Sequence, residues 1–157
     1  MGKPRTFMNK RQVVLESISA LLIMLFLYAS VSKFLDFDRF IGETNNQPLP
    51  NSWTPFIVWT VPSLEIAISI ALIFERTRLA GFIASTFLMT LFTIYAAFIL
   101  LHFFEYVPCS CGGIIRKLTW SQHLVFNIFF TVLSVMGITF QRRSFFKSIF
   151  ITKNSFV

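Results

Sequence analysis

The sequence predicts an all-α protein, an integral membrane four-helix bundle with both termini in the cytoplasm. Hydrophobic residues make up 55% of the 157 residues and charged residues only 13%, which is too little polar surface for a soluble globule. Four apolar runs are each long enough to cross a hydrocarbon core of ~30 Å. Basic residues cluster at the chain ends and in one short turn, a distribution that indicates membrane topology and argues against a nucleic-acid partner.

The first predicted span covers about residues 12–35, interrupted only by Glu16 and Lys33. At ~1.5 Å per residue it is long enough to cross the bilayer as a helix. A polar stretch follows as far as Asn51 and contains Pro48 and Pro50. Because prolines limit regular structure, we expect an exposed loop of moderate length here.

The remaining spans are predicted at about 55–75, 79–104 and 120–140, within a single domain of residues 1–157. Pro62 should kink the second span and leave a backbone carbonyl in need of a partner. The turn before Leu79 is so short that the second and third spans must form an antiparallel hairpin. Residues 141–157 are predicted to be a basic cytoplasmic tail that is suited to the membrane interface.

The distribution of lysine and arginine predicts the orientation. Four basic residues fall on one side of the predicted membrane, namely Lys33, Arg39, Arg116 and Lys117. The other ten fall in the N-terminal segment, the hairpin turn and the tail: Lys3, Arg5, Lys10, Arg11, Arg76, Arg78, Arg142, Arg143, Lys147 and Lys153. The positive-inside rule places these ten in the cytoplasm. The loop between the third and fourth spans then faces outwards, into the periplasm if the membrane is a bacterial inner membrane.

That outward loop carries the only two cysteines, Cys109 and Cys111, in the sequence Pro-Cys-Ser-Cys-Gly-Gly. A disulfide between thiols one residue apart is strained and closes almost no loop, so it suits exchange better than stapling. The basic residues Arg116 and Lys117 would favour the thiolate. The alternative interpretation is an ordinary pair of loop thiols or a small local disulfide.

Metal binding is a further alternative for the same loop. Together with His102 and His123, the two thiols could surround zinc or copper(I). His123 begins the fourth span and, as the histidine nearest the thiols in sequence, could instead titrate with them. It could equally be an ordinary residue at a helix end.

Glu65 lies about ten residues inside the second span, where an unpaired carboxylate is costly. It must therefore be protonated, paired or facing a polar cavity. Lys33, near the outer end of the first span, is close enough in the predicted topology to reach it. A pair that locks the two helices together and a proton-relay or quinone-site function both remain open for Glu65.

Four segments carry a resemblance to a known family: 28–36 (Tyr-Ala-Ser-Val-Ser-Lys-Phe-Leu-Asp), 62–65 (Pro-Ser-Leu-Glu), 108–113, and 120–124 (Trp-Ser-Gln-His-Leu). They resemble the MauE/DoxX family of bacterial redox-associated membrane proteins over about residues 12–140. The resemblance implies a four-helix membrane bundle. It also implies a periplasmic thioredoxin-like partner, with which MauE matures the disulfide-rich small subunit of methylamine dehydrogenase. DoxX relatives include a quinone-reducing subunit, which adds a quinone as a candidate cofactor.

The function expected from these observations is membrane-embedded thiol–disulfide exchange with a periplasmic thioredoxin-like partner, with a quinone as a candidate cofactor. The candidate catalytic residues are Cys109, Cys111, His123 and Glu65. A single cysteine pair cannot run a two-disulfide relay alone, so electrons would pass directly to a quinone or between two extracytoplasmic proteins. The alternatives are a non-catalytic subunit that anchors or assembles a larger envelope complex, and copper or zinc handling.

Overall fold

Four long apolar helices and one short amphipathic helix make up the described part of the chain. The computed structural model describes residues 10–104 and 119–154, with side chains as far as Arg142. The helices are α1 (Lys10–Leu35), α2 (Phe37–Asn45), α3 (Thr54–Ile73), α4 (Arg78–Leu100) and α5 (Trp120–Asn154). Four candidate spans, which include α1, α3, α4 and most of α5, have a mean hydropathy between 1.8 and 2.1 over 18 residues. The predicted four membrane-spanning helices are therefore confirmed in number and order.

Contacts between the long helices show that α4 and α5 run antiparallel, since Thr86 meets Ser134 whereas Thr93, farther along α4, meets Thr131, earlier in α5. Near the start of α1, the guanidinium of Arg11 lies 5.6 Å from the ring centroid of Phe140, near the end of the membrane-spanning part of α5. Near the end of α1, Lys33 contacts Glu65 of α3. We call the end of the bundle that holds Lys10, the α3–α4 hairpin and Arg142 the terminal end, and the opposite end the loop end.

The hydrophobic core fills the half of the bundle nearer the terminal end. Its buried members are Leu15, Ile18, Leu22, Phe26, Ile68, Leu72, Phe82, Leu88 and Met89. Glycines let the helices approach closely here: a Cβ at Gly81 would lie 2.9 Å from the Leu72 side chain, and one at Gly137 would overlap the ring of Phe82. Small residues at interfaces are the usual means of close helix packing in membranes.

Hydroxyl groups join α4 to α5 farther towards the loop end. Thr86 Oγ1 donates to Ser134 Oγ at 2.9 Å, and the Thr93 and Thr131 hydroxyls lie 3.5 Å apart. Each hydroxyl also lies within hydrogen-bond distance of a backbone carbonyl of its own helix. Because a hydroxyl carries a single hydrogen, Thr86 shares its hydrogen between the Phe82 carbonyl and Ser134 Oγ. These contacts hold α4 and α5 together where the glycine packing ends.

The prediction of an exposed loop between the first two spans is wrong for Phe37–Asn45, which is helical and has a buried face. Residues Phe37–Asn45 form α2, which buries Phe40 and Thr44, and Gln47 beyond it is only 7% exposed. Phe40 and Thr44 are four residues apart and share one helical face. The prolines do not prevent this helix because Pro48 and Pro50 follow its end. The segment therefore folds back over the loop end, where Thr54 Oγ1 donates to Asn45 Oδ1 at 2.7 Å.

The third span ends at Leu100, four residues earlier than predicted, and His102 explains why. His102 adopts a left-handed backbone conformation with φ 53°. Its N–H bonds to the carbonyl of Ile99 at 3.1 Å, and that of Phe103 bonds to the carbonyl of Phe98 at 3.1 Å. This is the Schellman arrangement, completed by the Phe98 and Phe103 rings with centroids 5.3 Å apart. A histidine stands where glycine is usual.

The backbone shows no break at residue 140, where the fourth span is predicted to end and the tail to begin. α5 continues from Trp120 to Asn154 as one helix of 35 residues. At ~1.5 Å per residue such a helix is about 52 Å long, which exceeds a ~30 Å hydrocarbon core. Its last turns therefore extend past the bilayer core, and the cytoplasmic location of this tail stays a prediction.

Candidate functional site

A cavity of about 370 Å³ lies in the loop-end half of the bundle, where the hydrophobic core stops. Residues of α1, α3, α4 and α5 form its walls, and α2 with the residues after it contributes Phe40, Thr44, Gln47 and Leu49. Most of the lining is apolar. The polar side chains in it include Ser32, Lys33, Thr44, Gln47, Glu65, Tyr95, His123 and Asn127. An apolar pocket with a few convergent polar groups is the usual form of a small-molecule site.

The ion pair of Lys33 and Glu65 lies in the wall of this cavity, so pairing, one of the alternatives left open for Glu65, is present in the structure. Lys33 Nζ lies 2.8 Å from Glu65 Oε1 and 3.1 Å from Oε2. Glu65 is 1% exposed, whereas the Lys33 side chain is 14% exposed. The lysine also donates to the carbonyl of Ala29 at 3.3 Å, and its ammonium lies 5.9 Å from the Phe40 ring centroid. The pair is neutral overall and joins α1 to α3.

A second polar contact ties residues 37–49, which we call the covering segment, to α4. The Tyr95 hydroxyl donates to Gln47 Oε1. Gln47 Nε2 in turn donates to the carbonyl of Glu43 at 3.0 Å, so the amide bridges α2 and α4. Sequence reasoning missed both residues. A tyrosine hydroxyl inside an apolar span is a signal for Tyr95, whereas nothing in the polar stretch distinguishes Gln47 from its neighbours.

The start of α5 is fixed by a capping box that positions His123. Gln122 Oε1 accepts a hydrogen bond from Thr119 N at 2.9 Å, and Thr119 Oγ1 accepts one from Gln122 N at 3.4 Å. This reciprocal pair stabilises the first turn. His123 follows directly, lines the cavity and packs against Trp120, with ring centroids 5.8 Å apart. The structure thus places two predicted site residues, Glu65 and His123, around one cavity.

Tyr95 contacts residues on both sides of the cysteine segment, residues 105–118. The Phe104 ring centroid lies 6.2 Å from that of Tyr95, and so does the Trp120 ring centroid. Cys109 and Cys111 lie between these two anchors and outside the described residues. Phe104 and Trp120, on either side of that segment, thus both contact Tyr95, which lines the cavity.

His102 is not part of the cavity. Its side chain is exposed, and its left-handed backbone conformation ends α4. Within the described residues, the observed role of His102 is therefore to terminate this helix. Asn127, in contrast, lines the cavity from α5 and was missed by sequence reasoning. The sequence does contain a signal for Asn127, because an amide side chain in an apolar span is costly unless it faces a polar or enclosed space.

Comparison with known proteins assigns the family. The family model described as methylamine utilisation protein MauE matches residues 11–140. The chain belongs to the MauE family. The match covers all four spans, and so includes both cavity residues predicted from sequence, Glu65 and His123. No curated protein and no solved structure matches the chain. Family membership and the four apolar helices together identify a multi-pass membrane protein of the MauE family, consistent with a redox-associated role.

Proposed function

We propose that this MauE family protein is a membrane-embedded thiol–disulfide redox protein. Its Cys109–Cys111 pair exchanges electrons with a thioredoxin-like partner on the periplasmic side of a bacterial inner membrane. The observation that carries the proposal is the position of Phe104 and Trp120. Both flank the cysteine segment, and both pack on Tyr95 at the cavity that holds Lys33 and Glu65.

Chain length keeps the thiols near that cavity. Five residues of chain lead from Phe104 to Cys109, and eight lead from Cys111 to Thr119. An extended chain spans ~3.5 Å per residue, so Cys109 lies within about 18 Å of Phe104 and Cys111 within about 28 Å of Thr119. The pair is thus tethered to the loop end of the bundle, opposite the α3–α4 hairpin that holds Arg76 and Arg78.

The exchange step balances without further reactants. A thiolate of the reduced partner attacks one sulfur of the Cys109–Cys111 disulfide, and the S–S bond breaks to give a mixed disulfide and one free thiolate. The partner's second thiolate then attacks the partner sulfur of the mixed disulfide. This closes the partner's disulfide and releases Cys109 and Cys111 in the reduced form. Two electrons have moved from the partner to this chain. The reverse sequence oxidises the partner by the same bonds.

Neighbouring groups support thiolate chemistry at this end. Arg116 and Lys117 follow Cys111 by five and six residues, and cations near a thiol favour its ionised form. His123 stands at the cavity, and its imidazole has one nitrogen that can donate and one that can accept a hydrogen bond when the ring is neutral. Glu65 is paired with Lys33, and its contribution to this function is to hold that ammonium in place.

Trapping of the mixed disulfide tests the proposal. The full-length oxidised protein is incubated in detergent with a reduced thioredoxin-like protein that lacks its resolving cysteine, and complexes are resolved without reductant. We expect a covalent one-to-one complex with the unaltered chain. The Cys109→Ser/Cys111→Ser variant is the control and should give none. Equal recovery with this variant would refute the proposal, as would no complex at all. The latter result would favour a non-catalytic subunit of a larger envelope complex.

A further inference from the structure

We propose that the loop-end cavity binds the uncharged head group of a membrane quinone, which enters from the lipid phase beside α1. The binding follows from the cavity itself. Only the electron transfer from the thiols to the bound quinone rests on the proposed function.

The charges of the lining indicate a neutral ligand. Among the described residues that line the cavity, Lys33 and Glu65 are the only formally charged ones, and they are paired at 2.8 Å. The cavity therefore has no net charge from them to match a phosphate or an ammonium group. A phospholipid head group would enter without a counter-charge, which is costly away from water.

The aromatic side chains in the cavity wall indicate a ligand that contains a flat ring. Aromatic side chains from α2, α4 and α5 line the cavity, namely Phe40, Phe92, Tyr95, Trp120 and Phe126. Aromatic faces favour stacked or edge-on contact with another ring. The volume of about 370 Å³ lies near the lower limit of ~300–1,000 Å³ typical of drug-sized ligands, which suits a head group and excludes a complete lipid.

The polar groups indicate a ligand with hydrogen-bond acceptors, which an acyl chain lacks. Lys33 Nζ donates to Glu65 at 2.8 Å and 3.1 Å, and its longer bond of 3.3 Å to the carbonyl of Ala29 is the one it can most easily exchange. A quinone carbonyl oxygen can accept that hydrogen. The ammonium would then stabilise the negative charge that develops on this oxygen during reduction. Asn127, which lines the cavity from α5, has a side-chain amide that can supply a second donor.

Access from the bilayer follows from Tyr28. This residue lines the cavity and is also 44% exposed, on the surface of a membrane-spanning helix. Ala29 and Ser32 lie beside it on α1 and are themselves only partly buried. The cavity therefore reaches the lipid-facing surface at α1, where a membrane-soluble molecule can enter without crossing water.

The coupled reaction is balanced by the two thiols alone. The Cys109 and Cys111 thiols give up two electrons and two protons and form one S–S bond. The quinone accepts both electrons, and its two carbonyl oxygens take both protons, which gives a quinol. The reduced pair that thiol exchange produces is thereby reoxidised.

The test measures binding without any contribution from the thiols. It uses full-length protein in lipid nanodiscs with Cys109→Ser/Cys111→Ser, because thiols can add covalently to a quinone. Trp53→Phe and Trp59→Phe leave Trp120, in the cavity wall, as the remaining one of three tryptophans. Menadione or decylubiquinone is titrated in, and quenching of the Trp120 fluorescence is followed. We expect saturable quenching.

Matched alanine variants then locate the site. Ala29→Phe fills the cavity and should weaken binding at least tenfold, whereas Ala67→Phe, on the exposed face of α3, should change it less than twofold. If Ala29→Phe does not fold, Lys33→Met/Glu65→Gln replaces it and should weaken binding at least fivefold. Unsaturable quenching, or equal affinity in the cavity and control variants, would overturn the proposal. Quinone binding with failed disulfide trapping would refute only the redox function, and the reverse result would refute only this site.

Discussion

Removing one partner of the Lys33–Glu65 pair should destabilise the protein far more than removing both. Lys33→Met leaves a carboxylate that is 1% exposed without the ammonium that donates to both of its oxygens. Breaking a buried pair in this way costs about 3–5 kcal/mol. Glu65→Gln should cost less, about 1–3 kcal/mol, because the amide oxygen can still accept a hydrogen bond. The double variant should lie within about 1 kcal/mol of the unaltered protein, since replacing both charges removes the unpaired group.

The assay is a double-mutant cycle on reversible unfolding in mixed micelles, with SDS as denaturant and helicity as the signal. We expect the Lys33 and Glu65 changes to couple by at least about 2 kcal/mol. Arg39 and Glu43 provide the control pair: their contact is 3.0 Å but Arg39 is 53% exposed, so coupling there should stay below about 0.5 kcal/mol. Additive effects of the Lys33 and Glu65 changes would refute the reasoning.

Two other predictions concern topology and packing. A membrane-impermeant maleimide should label Cys109 and Cys111 in intact spheroplasts after mild reduction, because the positive-inside rule places them outside; labelling only after lysis would reverse the orientation. Gly137→Ala should lower the free energy of unfolding by about 1–3 kcal/mol, since its Cβ would overlap the Phe82 ring. Gly42→Ala, with no atom within 4 Å of the added Cβ, is the matched control and should be neutral or stabilising; equal losses would contradict the packing.

The spans and the ion pair could be predicted because the bilayer imposes strong, local requirements. A helix that crosses lipid needs about 20 apolar residues, and this alone locates four spans in the sequence. A carboxylate at the position of Glu65 needs a partner or a polar space, and Lys33 is the basic residue that the topology brings close. Both inferences depend on composition and topology, which the sequence contains directly.

The covering segment and the end of α4 depend on tertiary contacts that leave little trace in the sequence. Phe40 and Thr44 form a buried face only because the loop end offers a surface to cover, and their neighbours are polar enough to suggest a loop. His102 ends α4 in a conformation that glycine usually adopts, so the usual signal is missing. Gln47 meets Tyr95 across 48 positions of sequence, a contact that no local pattern predicts.

A redox titration of Cys109 and Cys111 tests the central claim most directly. The purified full-length protein is equilibrated in thiol–disulfide buffers of graded potential, and the free thiols are alkylated and counted by mass spectrometry. Thiol exchange with a thioredoxin-like partner requires a reversible two-electron transition with a midpoint between about −270 and −120 mV, the range of exchanging disulfides. A midpoint below about −300 mV, typical of structural disulfides, would contradict the account, as would thiols that never pair across the whole range.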